Sequence, residues 1–123
     1  MAGAALISVV DDDPSLRFLL ASLIRSVGFQ ALSFVSAEAF LSSTHARNSR
    51  CVIADVRMPG MNGLELQRHI VEANWRLPII FITSYLDDDA RAAALEAGAA
   101  GFLYKPFRDV ELLKTMEAVL RAP

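Results

Sequence analysis

The residues best placed to do chemistry lie in one stretch, Cys51-Val52-Ile53-Ala54-Asp55-Val56-Arg57-Met58-Pro59-Gly60-Met61-Asn62-Gly63. A short apolar run ends in a single carboxylate, Asp55, and a loop holding Pro59, Gly60 and Gly63 follows at once. A buried strand of this kind delivers its acid to the strand's C-terminal tip. In an open α/β sheet, ligands sit outside the carboxyl ends of the strands. Three other largely apolar runs end in polar groups: Asp11 with Asp12, then Thr83, then Lys105. If these strands are parallel and adjacent, three carboxylates, a hydroxyl and an ammonium converge on one sheet edge. Acids packed together repel, and a nearby cation offsets that repulsion. Mg²⁺ takes oxygen ligands, typically one or two carboxylates with waters and a substrate phosphate; Mn²⁺ is the alternative, since it suits the same donors. A lysine is a compact point charge suited to phosphoryl oxygens, and a threonine hydroxyl can donate to the same group. The set reads as phosphoryl handling at an aspartate. Taken singly, each residue has a plainer use: Asp11 and Asp12 as helix-start acids, Thr83 as a strand-end hydroxyl, Lys105 as a turn residue. The joint arrangement carries the reading.

The elements that would position these groups follow from periodicity. Leu6-Ile7-Ser8-Val9-Val10 reads as a first strand, short and mostly apolar, as parallel strands covered on both faces are. Asp13 can cap the next helix and Pro14 suits its first turn. Leu16, Leu19, Leu20, Leu23, Ile24 and Val27 recur at helical spacing until Gly28. Phe29 to Phe34 reads as a second strand nearer an edge, Ser36 as the cap of a short helix carrying Ala39, Phe40 and Leu41, and Thr44 to Arg50 as a loop. Cys51 to Ala54 is the third strand. Gly63 to about Glu72 is a helix with apolar Leu64, Leu66, Ile70 and Val71. Pro78 introduces Ile79-Ile80-Phe81-Ile82, the clearest buried strand. Asp87-Asp88-Asp89 opens an alanine-rich helix closed by Gly98, its acids at the positive helix end. Gly101-Phe102-Leu103-Tyr104 is a fifth strand, Lys105-Pro106-Phe107 a turn, and Asp109 the cap of a last helix from Val110 to about Leu120. Five strands alternating with five helices predict an α/β, doubly wound (βα)₅ fold with no internal linker or repeat.

Composition excludes several classes. A chain of 123 residues is one domain by length. Its 54% apolar residues argue against disorder. A formal net charge of −2 is not that of a domain that grips nucleic acid through a basic face. The single cysteine, Cys51, lies inside an apolar run and reads as a buried structural thiol. No apolar run approaches the ~18–20 residues that span a bilayer. The start, Met1 to Ile7, lacks a basic region of the kind a signal peptide carries. A cytoplasmic location is expected.

With these residues in place, the chain resembles the receiver domain of two-component response regulators. It is most similar to the branch whose full-length members often carry a C-terminal helix-turn-helix DNA-binding domain. The matching pieces are Val9-Val10-Asp11-Asp12-Asp13-Pro14-Ser15-Leu16-Arg17, Asp55 through Leu66, Pro78-Ile79-Ile80-Phe81-Ile82-Thr83-Ser84, and Gly98 through Phe107. Together they extend the resemblance over Leu6 to about Leu120, and residues 1–123 are expected to form one receiver domain. The resemblance implies a flavodoxin-like sheet of order 2-1-3-4-5 and a phosphoacceptor at Asp55. It implies Mg²⁺ held by Asp12 directly, by Asp11 mostly through water, by Asp55 and by the backbone carbonyl of Arg57. Thr83 matches the hydroxyl that contacts the phosphoryl group, Lys105 the family's lysine and Phe102 the switch aromatic. A cis Lys105-Pro106 bond is implied too. So are a histidine kinase as partner and a helix-4, strand-5, helix-5 face that changes on phosphorylation. Phe102, taken as next to Thr83, would turn inward as Thr83 moves. A phosphorylation-dependent homodimer and an output domain beyond Pro123 are expected, with transcription regulation as the output. The domain would be a regulatory phosphoacceptor rather than an enzyme. Arg57 and Tyr85, bulky and two residues beyond Asp55 and Thr83, flank the approach of water, so slow self-hydrolysis is expected.

Two other functions compete. Phosphatases and phosphotransferases of a different class use a first-strand aspartate as nucleophile and the acid two positions on as proton donor, and Asp11 and Asp13 have that spacing. Against this, Asp13 precedes Pro14 and suits a cap, and the Asp55–Gly63 pattern is left unexplained. A flavodoxin-like cofactor binder would need a phosphate-cradling loop after the first strand, where three acids would repel a phosphate.

Overall fold

The computed structural model of the protein describes residues 4–121; Met1, Ala2, Gly3, Ala122 and Pro123, and with them part of the N-terminal stretch read for a targeting signal, lie outside the described residues. Five strands, β1 (Leu6–Val10), β2 (Gln30–Phe34), β3 (Cys51–Asp55), β4 (Ile79–Thr83) and β5 (Gly101–Tyr104), alternate with five helices, α1 (Pro14–Ser26), α2 (Ala37–Ser42), α3 (Gly63–Glu72), α4 (Asp88–Glu96) and α5 (Asp109–Arg121). The sheet is parallel throughout and its order is β2-β1-β3-β4-β5. This is the (βα)₅ sheet that the sequence predicts. The central strands β3 and β4 are buried along their whole length.

Side chains alternate across the pleat and make two cores. Val10, Val52, Ala54 and Phe81 pack with Ala37 and Phe40 of α2, Leu66 and Ile70 of α3 and Ala94 of α4. Ile7, Val9, Ile53, Ile80 and Ile82 pack with Leu20, Ala21 and Ile24 of α1 and Leu112 and Met116 of α5. Cys51 is fully buried, and desolvation pushes its thiol up to about 12, as a structural cysteine requires. The polar exception in β1 is satisfied: buried Ser8 shares a 2.6 Å hydroxyl–hydroxyl hydrogen bond with Ser49.

Several sequence expectations need correction. Leu19, Val27 and Val71 lie at helical spacing yet are about half exposed, because the apolar stripe is wider than the face that meets the sheet. The polar segment before β3 contains a short 3-10 turn, Ala46–Asn48, which places Ala46 in the core. Asp109 is the first residue of α5 rather than its cap. Arg108 precedes the helix, and its backbone N–H donates to the Glu111 carboxylate at 3.0 Å, one half of a capping box.

The turn from β3 into α3 is the tightest point near the sheet's carboxyl edge. Gly63 donates its N–H to the Val56 carbonyl at 2.9 Å. A Cβ at Gly63 would land on the Asp55 carbonyl oxygen and meet Val56 Cα and the Phe81 ring at 3.0 Å. The glycine therefore lets α3 start directly against the strand that carries Asp55. Gly63→Ala is expected to lower stability by about 1–3 kcal/mol, the usual cost of overpacking. Urea unfolding at unchanged m-value measures it. A variant as stable as wild type would show that the turn can move off β3 freely.

Candidate functional site

The strand tips assemble as the sequence predicts. Asp11 follows β1 and is fully buried. Its backbone is fixed by the Asp11 N–H donating to the Phe34 carbonyl at 3.2 Å and by Arg17 Nη1 donating to the Asp11 carbonyl at 2.8 Å. Its carboxylate accepts the Asp13 N–H at 2.9 Å. Asp12 beside it is exposed. Asp55 ends β3 and is 7% exposed, its Oδ1 accepting the Arg57 N–H at 3.0 Å. Lys105 reaches across from the end of β5. Its Nζ donates to Asp55 Oδ2 at 2.7 Å and sits 3.5 Å from Asp11 Oδ2. The Lys105 N–H donates to the Thr83 carbonyl at 2.8 Å, and the Lys105-Pro106 bond is cis.

One carboxylate oxygen from each of Asp11, Asp12 and Asp55 lies within 4.8 Å of the other two. Hard oxygen donors that close suit Mg²⁺. Burial first, and then the neighbouring Asp55 charge, hold the Asp11 carboxyl above its ordinary value; the Asp13 amide and Lys105 offset only part of this. Burial alone would lower the Lys105 ammonium, but its hydrogen bond to Asp55 and the charges of Asp11 and Asp55 outweigh that and hold it above the ordinary lysine value.

The remaining predicted residues border this cluster. Thr83 is buried, and its hydroxyl oxygen accepts the Tyr85 N–H at 3.2 Å. The Arg57 guanidinium lies 4.0 Å from the centre of the Tyr85 ring and 3.9 Å from Asp87 Oδ2. Arg57 and Tyr85 are exposed and Asp87 partly so, and the ion pair therefore contributes little stability. Phe102 is half-buried against Phe81, ring centroids 6.1 Å apart, and against Tyr104 at 5.4 Å. It lies on the strand beside Thr83, as expected, with the register pairing Phe102 with Phe81 and Tyr104 with Thr83, so that Phe102 is the diagonal neighbour of Thr83. Asp13 is drawn away from the cluster, capping α1 by accepting the Ser15 N–H at 2.9 Å.

Sequence reasoning missed three supports. Arg17 on the Asp11 carbonyl and Glu38 on the loop after β3 left no local signal. The Asn62–Glu65 capping box, with both bonds at 2.9 Å, was legible as Asn-x-x-Glu before an apolar helix.

Residues 7–117 match the response regulator receiver domain family. The chain is 44% identical over 114 residues to nodulation protein W of Bradyrhizobium diazoefficiens, covering 93% of this chain and 50% of that protein. It is 42% identical over 118 residues to response regulator protein TodT of Pseudomonas putida, covering 96% of this chain and 52% of that protein. The chain thus spans about half the length of these curated relatives. Among solved structures, FixJ-N superposes with a TM-score of 0.87 at 32% identity, covering 99% of this chain and 98% of that one.

The buried charge of Asp11 yields a stability prediction for the metal-free domain. A carboxyl held above its unfolded value costs stability at pH above the folded pKa. The cost fades as pH falls through that pKa and is gone below the ordinary 3.8. Asp11→Asn keeps an oxygen for the Asp13 N–H and removes the charge. Thermal unfolding near pH 7 without divalent metal should show an unchanged or higher Tm, by up to roughly 3–6 °C for a gain of about 1 kcal/mol, and the gain should vanish toward pH 3.5 (roughly, below the ordinary aspartate value). A clear loss of stability at pH 7 would mean that Lys105 more than compensates the buried charge.

Proposed function

The chain belongs to the response regulator receiver domain family, and from that premise we propose that Asp55 accepts a phosphoryl group from the phosphohistidine of a histidine kinase. The domain is a regulatory signalling module of the two-component type. The observation that carries the proposal is the 2.7 Å hydrogen bond from Lys105 to Asp55, inside a cluster that gathers Asp11 and Asp12. An Asp55 carboxylate oxygen attacks phosphorus in line; the P–N bond to histidine breaks, its electron pair stays on the imidazole, and an acyl phosphate forms. Asp11, Asp12, Asp55 and the Arg57 carbonyl would hold Mg²⁺ or Mn²⁺, which when bound neutralises charge on the phosphoryl oxygens. The Lys105 ammonium offsets the same developing charge. The Thr83 hydroxyl leaves the Tyr85 N–H and turns to the phosphoryl oxygens, and Phe102 repacks. The α4–β5–α5 face then changes for its reader, a second copy or an output domain. Slow hydrolysis of the acyl phosphate past Arg57 and Tyr85 resets the switch.

The hydrolase reading has less support. Its proton donor, Asp13, is occupied as a helix cap, and Lys105 is nearer to Asp55 than to Asp11. We take residues 1–123 as one receiver domain in the cytoplasm. Among the described residues no helix is long and apolar enough to cross a membrane. Relatives about twice as long, including the transcriptional regulatory protein FixJ, support a DNA-binding output domain in the full-length protein and control of transcription.

A small phosphodonor with Mg²⁺ should label Asp55 alone, as mapped by mass spectrometry of the trapped adduct, and Asp55→Ala should abolish labelling. A stable label on Asp11 or Asp13 would overturn the assignment. Treatment with beryllofluoride should make the protein larger in solution, and Phe102→Ala should uncouple that change from labelling of Asp55. A monomer after activation removes the homodimer; unchanged NMR shifts across α4, β5 and α5 would remove the switch itself.

A further inference from the structure

We propose that Glu38 is a positioning residue for the metal-binding loop: its carboxylate reaches from α2 to hold the backbone at Gly60 and Met61, and so fixes the loop that presents the Arg57 carbonyl beside Asp55. The proposal rests on the phosphoacceptor reading above.

Glu38 stands on a firm base. Ser36 caps α2 by accepting the Ala39 N–H at 3.0 Å. Ala37 and Phe40 on either side of Glu38 are fully buried in the core. Glu38 itself faces solvent over the loop, where its Oε2 accepts the Met61 N–H at 2.9 Å from 23 residues away in the chain. That bond favours the charged carboxylate and holds Glu38 below its ordinary value.

Gly60 is shaped for the same contact. Its φ of +74° is a conformation that side chains disfavour, and a Cβ there would lie 2.7 Å from Glu38 Oε2. The glycine thus both makes the turn and leaves room for the carboxylate to reach the next amide. The loop's two ends are fastened separately, by the Arg57 N–H on Asp55 Oδ1 and by the Asn62–Glu65 capping box. Arg57 also reaches Tyr85 and Asp87 at the loop's start and Met58 is buried in the core, while Glu38 holds the far half of the loop at the Met61 amide. A loop held at its ends and at Met61 has less freedom to turn its other peptides, and with that the Arg57 carbonyl upstream keeps the direction that a metal ligand needs. Since Glu38 is exposed, the bond should matter more for loop geometry than for global stability.

The test compares wild type with Glu38→Ala, Glu38→Gln and Glu38→Asp, with Asp12→Ala as the control that loses Mg²⁺. Calorimetric titration with Mg²⁺ should show Glu38→Ala weakened about two- to tenfold, what one net hydrogen bond supplies. Glu38→Gln should stay near wild type, because its amide oxygen accepts the same bond, while the shorter Glu38→Asp should follow the alanine variant. In metal-free protein the Met61 amide should exchange faster in Glu38→Ala and not in Glu38→Gln. Labelling of Asp55 by a small phosphodonor should be slower in Glu38→Ala at limiting Mg²⁺ and recover at saturating Mg²⁺. Mg²⁺ affinity equal to wild type in Glu38→Ala would overturn the brace. Equal weakening in the alanine and glutamine variants would replace the hydrogen bond by a charge effect and overturn it too. A wild type that binds no Mg²⁺ would instead overturn the phosphoacceptor reading on which the brace rests.

Discussion

The Lys105–Asp55 contact is the constraint around which this structure is arranged. Two carboxylates, Asp11 and Asp55, are removed from water at the sheet edge, with a third at their rim. Burial of like charges is costly unless a cation is close. Lys105 is that cation, and its ammonium is held in the charged form by the acids it faces. One ammonium against three carboxylates leaves the cluster net negative. Burial is the larger reason that Asp11 is reluctant to ionise, and the neighbouring Asp55 charge adds to it; oxygen donors gathered this closely suit a divalent cation.

Meeting that constraint dictates the topology. Lys105 can reach Asp55 and Asp11 only if β5, β4, β3 and β1 run parallel and side by side, and the order β2-β1-β3-β4-β5 does this. The chain turns back at β1 to reach β3 on its other side, which opens the crevice where α/β sheets bind ligands. Backbone contacts set the tips: Asp11 is tied to β2 through the Phe34 carbonyl, and Lys105 to β4 through the Thr83 carbonyl. Gly63 brings α3 tight against the strand, so that the loop over Asp55 is short and can be braced.

Most of this was legible because strand tips are marked by sharp changes in residue type. Ile53-Ala54-Asp55 and Ile82-Thr83 pass from fully apolar to polar in one step, and Pro78, Gly98 and Pro106 punctuate the elements. What was not legible depends on pairing between distant segments. Phe102 and Thr83 belong to adjacent strands, but their register could not be read from either strand alone; it makes Tyr104 the partner of Thr83 and Phe102 its diagonal neighbour. Glu38 and Met61 meet only because α2 and the loop after β3 share one side of the sheet. Asp109 was misassigned because an acid near a helix start suits both the cap and the first turn; here the Glu111 and Leu112 amides that an Asp109 cap would take donate to the Arg108 carbonyl instead. Arg57 and Tyr85 were expected at the rim; that they stack on each other is a matter of side-chain geometry.

Under the proposed phosphorylation of Asp55, the neighbours of Thr83 set what a change at the site would first meet. Tyr104 is the register partner of Thr83, and Phe102, two residues earlier on the same strand, packs on the rings of Phe81 and Tyr104. The Thr83 hydroxyl accepts the Tyr85 N–H, so a move of that hydroxyl toward a phosphoryl group would release the start of the β4–α4 connection. That connection leads into Asp87, the cap of α4. Among the residues of α4, Ala94 is the one fully buried, and its carbonyl accepts the Gln67 side chain at 3.0 Å from α3. An alanine-rich helix that meets the core through Ala94 and, less deeply, Ala90 has little side-chain interlocking to break. A phosphoryl group can shift an equilibrium only by its differential affinity for the two states. A loosely seated α4 would lower the difference required, and the Gln67–Ala94 bond is the α3 contact that a movement of the helix would have to keep or break.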